Sequence, residues 1–286
     1  MTADNEPFLA ANRALWDEWT GIHETSDFYD LDGFRKGGVR LRDFEIEDVG
    51  PVEGKSLLHM QCHFGIDTLS WARLGARVTG ADFSAKAVEL ATRLAAELDL
   101  DARFVCSNVY DLPEALDDRF DVVYTSRGVL GWLPDIEGWA RVAAHFVKPG
   151  GVFYIHEVHP VTQVWADENV GPGELKLHYP YFTNASPFEF DTQGSYADRE
   201  AEVASPKEYG WNHSLAEIVT ALASAGLHIE LLREFPYTEW EYPFLEERKV
   251  MPDGGTEAQA TWWLPKDAGG DLPLFFALRA SMPDGS

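Results

Sequence analysis

The sequence predicts an α/β protein built on a doubly wound, mostly parallel seven-stranded sheet with helices on both faces, and three observations carry that prediction. The stretch Ser56 to Ser84, SLLHMQCHFGIDTLSWARLGARVTGADFS, reads as a strand, a tight loop, a helix and a second strand ending in an acid. Short apolar runs then alternate with segments of helical period as far as Val158, which is the pattern of parallel strands joined by crossover helices. Ser214 and Glu217 form a capping box that opens one more helix, and two strand-like segments, Leu227 to Leu231 and Leu274 to Ala280, bring the strands to seven.

Taken in order, Asn5 is placed to cap an N-terminal helix carrying Phe8, Leu15, Trp16, Trp19 and Ile22 on one side. Residues 28 to 38, FYDLDGFRKGG, mix aromatics, acids and glycines and read as a loop. Ser56 to Met60 is the first buried strand, and Gln61 to Gly65 turns out of it. Ile66, Leu69 and Leu74 lie near one face of a short helix that Gly75 ends in a left-handed conformation. Ala76 to Ala81 is the second strand, with Asp82 at its carboxyl end. Ser84 caps a helix whose apolar positions are Ala87, Leu90, Ala91, Leu94, Ala95 and Leu98. Ala102 to Cys106 is the third strand, and residues 120 to 135, FDVVYTSRGVLGWLPD, supply the fourth strand and the loop after it. Asp135 caps a helix burying Ile136, Trp139, Ala140, Ala143 and Phe146, and Lys148 to Gly151 turns into the fifth strand, Val152 to Val158. In such a sheet the ligand lies outside the carboxyl ends of the strands, where an acid placed like Asp82 reaches a ribose diol.

The chain of 286 residues carries 23 basic and 48 acidic side chains, a formal charge of -25. That charge repels phosphate backbones and anionic membranes, so nucleic acid and membrane are poor partners and a small-molecule substrate fits better. The plainer reading of the acids is a well-solvated surface. No apolar run of about 18 residues suggests a membrane span, and no basic-then-apolar N-terminus suggests a secretory signal. Cys62 and Cys106 are expected to be reduced thiols of a cytoplasmic protein, whether monomer or homo-oligomer.

From about residue 50 onward the chain resembles the class I S-adenosylmethionine (SAM)-dependent methyltransferases, whose fold is Rossmann-like. Where the family's first loop has an acid followed by three alternating glycines, this chain has His59, Gln61, His63 and Gly65. Only the last glycine remains, and side chains at 61 and 63 are expected to crowd a loop that is normally bare. The same departure argues against a nicotinamide-dinucleotide fingerprint, which needs those glycines. The resemblance implies SAM as cofactor, with Asp82 on the ribose, Phe83 and Ser84 beside it, and Gln61, Cys62, His63 and Gly65 around the methionine end. It also implies Asn108 on the adenine amino group, the Val109 amide on a ring nitrogen, Ser126 under the sulfonium and Tyr29 in a lid. Trp132 and Arg127 are nominated by the same strand end, Arg127 either clamping a substrate anion or pairing with nearby acids.

Residues 159–212 and 235–271 break the alternation, and these 91 positions hold 16 of the 37 aromatic residues. Loops of that length are usually functional, and their rings can wall a pocket, cradle a cation or give a cap its own small core. The expected organisation is an N-terminal helix and lid loop over 1–50 and a SAM-binding core over 51–158. A cap insertion over 159–212 follows, then the rest of the core over 213–286 with a second insertion at 235–271. Methyl transfer needs alignment of the two reactants and, for some acceptors, a base. Candidate bases cluster in YIHEVHP, where alternation sends His156 to one face and Glu157 to the other while His159 lies beyond the strand. Glu157 and His159 therefore rank above His156. Nothing nearby completes a metal-ligand set, so no metal is expected. The function expected is methyl transfer from SAM to a small aromatic or apolar metabolite, at nitrogen, oxygen or carbon. A SAM-binding protein that does not methylate, a cyclase on the same fold and, less favoured, a nicotinamide-dependent oxidoreductase stand as alternatives.

Overall fold

The apolar runs become strands of one central sheet in the computed structural model, which describes residues 5–166, 169–183, 186–250, 259–268 and 271–284. Ahead of the sheet lie α1 (Glu6–Thr25), α2 (Leu31–Arg35) and α3 (Asp43–Val49). Then follow β1 (Ser56–Met60), α4 (Ile66–Arg73), β2 (Arg77–Asp82), α5 (Ala85–Glu97), β3 (Ala102–Cys106), α6 (Leu112–Ala115), β4 (Phe120–Ser126), α7 (Ile136–Phe146) and β5 (Val147–Val158). The remainder is β6 (Phe188–Asp191), β7 (Lys207–Gly210), α8 (Leu215–Ser224), β8 (His228–Phe235), β9 (Tyr237–Thr238), β10 (Glu246–Val250), β11 (Gln259–Trp263) and β12 (Phe275–Ser281).

Strands of the central sheet run in the order β3-β2-β1-β4-β5-β12-β8, and β12 pairs antiparallel with both β5 and β8. The order reverses direction at β1, so a crevice opens outside the carboxyl ends of β1 and β4. Alternation along β4 divides the core: Val123 packs with Phe153, Trp139 and Leu278 on one face, while Val122 and Tyr124 pack with Leu57, Trp71 and Tyr154 on the other. Helix starts follow the capping chemistry, since Ser84 accepts from the Ala87 amide, Asp135 from the Gly138 amide, and Ser214 and Glu217 cap reciprocally.

Three local expectations are corrected. Asn5 precedes α1 without a side-chain cap bond, and a proline at the helix start removes one of the amides a cap would serve. Residues 28–38 contain α2, because Asp30, at φ 41°, accepts from the Gly33 amide and starts a turn of helix. The fifth strand begins at Val147, five residues early, with a register shift against β4 between Phe120 and Val122.

The insertion at 159–212 opens with a short 3-10 turn, Pro160–Val164, and ends in the β6–β7 hairpin. α1 anchors it: the Asn12 side chain donates to the Tyr209 carbonyl and accepts from its amide, both at 2.8 Å, and Trp19 Nε1 donates to the Gly194 carbonyl at 2.8 Å. The insertion at 235–271 forms the β10-β11-β9 sheet over a small core of Phe244, Leu245, Leu264 and Leu274. Among the described residues no helix is long and apolar enough to cross a membrane.

Candidate functional site

A cavity of about 610 Å³ opens at the carboxyl ends of β1 to β4. Its floor includes Gln61, Asp82, Asn108 and Ser126, each at or just beyond the end of its strand. Its roof is assembled from far apart in sequence: Trp16 of α1, Tyr29, Arg40 and Arg42, then Tyr196 and Arg199 of the first insertion and Glu239, Trp240, Glu241 and Trp262 of the second. Tyr29 and Tyr196 join by their hydroxyls, so the N-terminal segment and the first insertion close on each other over the β1 loop.

In that loop Gln61 (φ 58°) and His63 (φ 51°) take the left-handed conformation that glycine adopts freely. For L-residues this costs about 1–2 kcal/mol each, so their side chains need fixed partners. Gln61 Oε1 accepts from Trp139 Nε1 at 3.1 Å, and the His63 ring packs edge-on against Trp16 and Phe64. The expected crowding is thus resolved by anchoring both side chains in aromatic surroundings. Gly65 has no substitute: at φ 80° a Cβ would lie 2.8 Å from the Phe104 ring. Asp82 Oδ2 accepts from the His63 amide at 2.7 Å and Oδ1 from the Ser84 amide at 2.9 Å, which ties the β1 and β2 ends together. Burial pushes its carboxyl up to about 6 against the pull of those amides.

Ten of the eleven residues named above for cofactor binding line the cavity: Tyr29, Gln61, Cys62, His63, Gly65, Asp82, Phe83, Asn108, Val109 and Ser126. Ser84 does not. It is fully buried as the cap of α5, and its Oγ donates to Asp17 of α1 at 2.6 Å. Asn108 Oδ1 accepts from the Tyr110 amide at 3.2 Å and shapes the turn that follows β3.

None of the three candidate bases lines the cavity. His156 is packed among Phe44, Phe235 and Phe275, with Nδ1 3.6 Å from Glu45 Oε1. Glu157 faces the turn after β4 and bonds its amides. His159 Nε2 lies 3.0 Å from Glu234, and its Nδ1 accepts from the Val161 amide. Alternation assigned the faces of β5 correctly, but β5 is covered on both faces and flanked by β4 and β12, so neither face opens on the site.

Arg127, Asp67 and Glu239 also line the cavity, and of these only Arg127 was singled out in the sequence. Arg127 bonds Glu239 at 2.6 Å and Glu45 at 3.1 Å, with Asp67 at 3.5 Å, so it pairs with local acids. Burial opposes the charge on Glu45, yet Arg127 beside it holds that carboxyl down at about 2. Asp67 is the least compensated member, and burial raises its carboxyl. Ser126 Oγ donates to Asp67 at 3.0 Å and lies 3.1 Å from His59 Nε2, whose Nδ1 is 2.8 Å from Thr68 Oγ1. Asp67 sits two residues past Gly65 in the first turn of α4, which is a weak sequence signal; Glu239 has none.

Residues 58–155 match the methyltransferase-domain family. A ubiquinone biosynthesis O-methyltransferase of Serratia proteamaculans (strain 568) is 31% identical over 163 residues, covering 56% of this chain and 67% of that relative. The chain belongs to the class I SAM-dependent methyltransferases. A SAM-dependent methyltransferase from Mesorhizobium loti shares its fold at a TM-score of 0.55 and 19% identity, over 82% of this chain and 94% of that one. The glycopeptide N-methyltransferase MtfA complexed with SAM gives 0.51 and 17%, over 84% and 92%. This methyltransferase is therefore a SAM-using enzyme on the Rossmann-like sheet described above. Its donor set suits that cofactor. Asp82 accepts from the His63 and Ser84 amides and keeps lone-pair capacity for hydroxyls, and Arg40, whose Nη2 donates to the Phe28 carbonyl, retains donors for a carboxylate.

Proposed function

We propose that this methyltransferase moves the SAM methyl group to a hydroxyl on a small aromatic or largely apolar acceptor. The observation that carries the reading is the aromatic lining: Trp16, Trp132, Tyr196, Trp240 and Trp262 all face the same cavity. Such rings form rigid apolar walls, and they favour a cationic sulfonium nearby. The oxygen acceptor is supported by the relative named as an O-methyltransferase.

In this reading Asp82 holds the ribose, Asn108 and the Val109 amide the adenine, with Phe83 beside the base. Gln61, Cys62, His63 and Gly65 bound the methionine end, and Tyr29 closes over it. Bound SAM supplies a methyl group already activated on a sulfonium, so the chain's own residues align, shield and deprotonate. Asp67 takes the role of proton acceptor, as the carboxylate held at the longest distance, 3.5 Å, of the three around Arg127. Ser126, itself 3.1 Å from His59 Nε2, donates to Asp67 Oδ2, the oxygen that also faces Arg127, and so fixes the orientation of the carboxylate. Described residues of the N-terminal segment and of both insertions supply the roof, and the strand ends within 51–158 supply the floor.

The test is incubation with methyl-labelled SAM and a panel of phenols, catechols, amines and apolar carbon nucleophiles, followed by mass spectrometry. Labelled methyl ether from a ring hydroxyl is expected. Transfer to an amine or a carbon instead would overturn the oxygen assignment. Calorimetric binding of S-adenosylhomocysteine without transfer to any acceptor would favour a SAM-binding protein that does not methylate.

A further inference from the structure

Glu157 is 2% exposed on β5, and the cavity does not reach it. Its carboxylate accepts four backbone N–H groups. Oε1 takes those of Gly128 and Val158, each at 2.6 Å, and Oε2 takes Val129 at 2.8 Å and Leu130 at 3.1 Å. A carboxylate has about four acceptor sites, so Glu157 has none left for a ligand's proton. Three consecutive amides turned toward one anion form the concave nest that a negative charge fills best.

The turn held in this way is where three parts of the site meet. The Val129 carbonyl lies 3.5 Å from Gln61 Nε2 of the β1 loop. Gly128, at φ 76°, is covered so closely by Trp240 that a Cβ would sit 2.8 Å from the ring. Arg127, one residue earlier, bonds Glu239, the neighbour of Trp240.

We propose that Glu157 is a positioning residue that couples the cofactor loop to the second insertion, because one buried carboxylate fixes the turn that both of them touch. The inference rests on the SAM-binding reading of the cavity. Glutamine at 157 keeps the shape but turns an NH2 group against N–H donors, so the nest loses its anion without leaving a hole.

The experiment compares full-length protein with its Glu157→Gln variant by hydrogen-exchange mass spectrometry and by calorimetry with S-adenosylhomocysteine. Peptides spanning 126–133, 60–66 and 237–242 are expected to exchange about tenfold faster, and affinity to fall about three- to tenfold, the scale of one ordinary hydrogen bond lost. Peptides of β1 before Met60 and of β12 are expected to be unchanged. Faster exchange confined to 126–133, with unaltered affinity, would reduce Glu157 to a local support and overturn the coupling. Unchanged exchange throughout would overturn it as well. Should the variant not fold, Glu157→Asp, which keeps the charge on a shorter stem, is read by the same measurements. If the unmodified protein fails to bind S-adenosylhomocysteine, the cofactor reading falls, while exchange at 60–66 and 237–242 still decides the coupling.

Discussion

His63 Nε2 lies 2.9 Å from His23 Nδ1, so the cofactor loop and α1 share a single hydrogen bond between two buried rings. One ring donates and the other accepts, and burial keeps both neutral: it lowers His23 to about 3 and His63 well below the ordinary histidine value. Unfolded histidines take up protons below about pH 6.5, whereas these two resist until far lower. The unfolded chain therefore binds more protons across that window, and stability falls as pH drops from about 6.5 toward 3. Urea midpoints at pH 7 and pH 5 are expected to show the loss, with a shallower slope in His23→Phe. Equal slopes in the two proteins would remove this pair as a source of acid sensitivity.

Asp82 works in the opposite direction for folding and in the same direction for binding. Its raised value, about 6, means that the folded chain accepts a proton there before the unfolded chain does, but a protonated carboxyl is a poorer acceptor for ribose hydroxyls. Affinity for S-adenosylhomocysteine is expected to weaken as pH falls through about 6. At pH 8, Asp82→Ala is expected to lose roughly tenfold or more, as for a charge-assisted hydrogen bond. Calorimetry at pH 8 and pH 5.5 checks both, and a variant as tight as the parent would take Asp82 out of the site.

Two glycines are expected to respond with opposite sign. Gly65→Ala places a Cβ against Phe104 in a left-handed backbone and should cost about 1–3 kcal/mol by urea denaturation. Gly21→Ala, in the middle of α1 with nothing within 4 Å of the new atom, should gain about 0.4–1 kcal/mol. Equal effects at both positions would contradict the packing described around Gly65.

Arg127→Met strips the main partner from Glu45 and Glu239, both almost wholly buried, and is expected to cost about 3–5 kcal/mol. Adding Glu239→Gln should return part of that loss, because one of the stranded charges is removed. A double variant less stable than the sum of the single changes would mean that the network is not held together by charge.

The sheet was legible because each strand is a short apolar run bounded by a strong signal: Ser84 and Asp135 cap, Gly75 and Gly226 take φ 90° and 98°, and Ser214 boxes with Glu217. That Asp82, Asn108 and Ser126 meet the cavity was legible for a related reason, since they stand at or just past strand ends, and strand ends can be counted. That the three nominated bases do not meet it was not legible. Period-two alternation places His156 and Glu157 on opposite faces, but it carries no information about which faces are covered. Asp67 and Glu239 meet at Arg127 across 60 and 112 positions of chain, and nothing local to any one of them announces the other two. Ser84 shows the converse, a cap of α5 expected beside the ligand that does not line the cavity.

Phe235 and Phe275 are paired neighbours at the ends of β8 and β12, so everything between them leaves the sheet and returns to it at one place. Topologically the second insertion is an overgrown hairpin tip. Lengthening a closed loop adds entropy cost only logarithmically, about 0.6 kcal/mol per doubling, so such a tip can be shortened, extended or exchanged with little penalty to the strands beneath. Trp240 and Trp262, which line the cavity, belong to that tip, while Asp82 and Asn108, which line it too, do not. The cavity wall is therefore drawn from two sources, strand ends that the sheet fixes and a segment that leaves the sheet and rejoins it at one place.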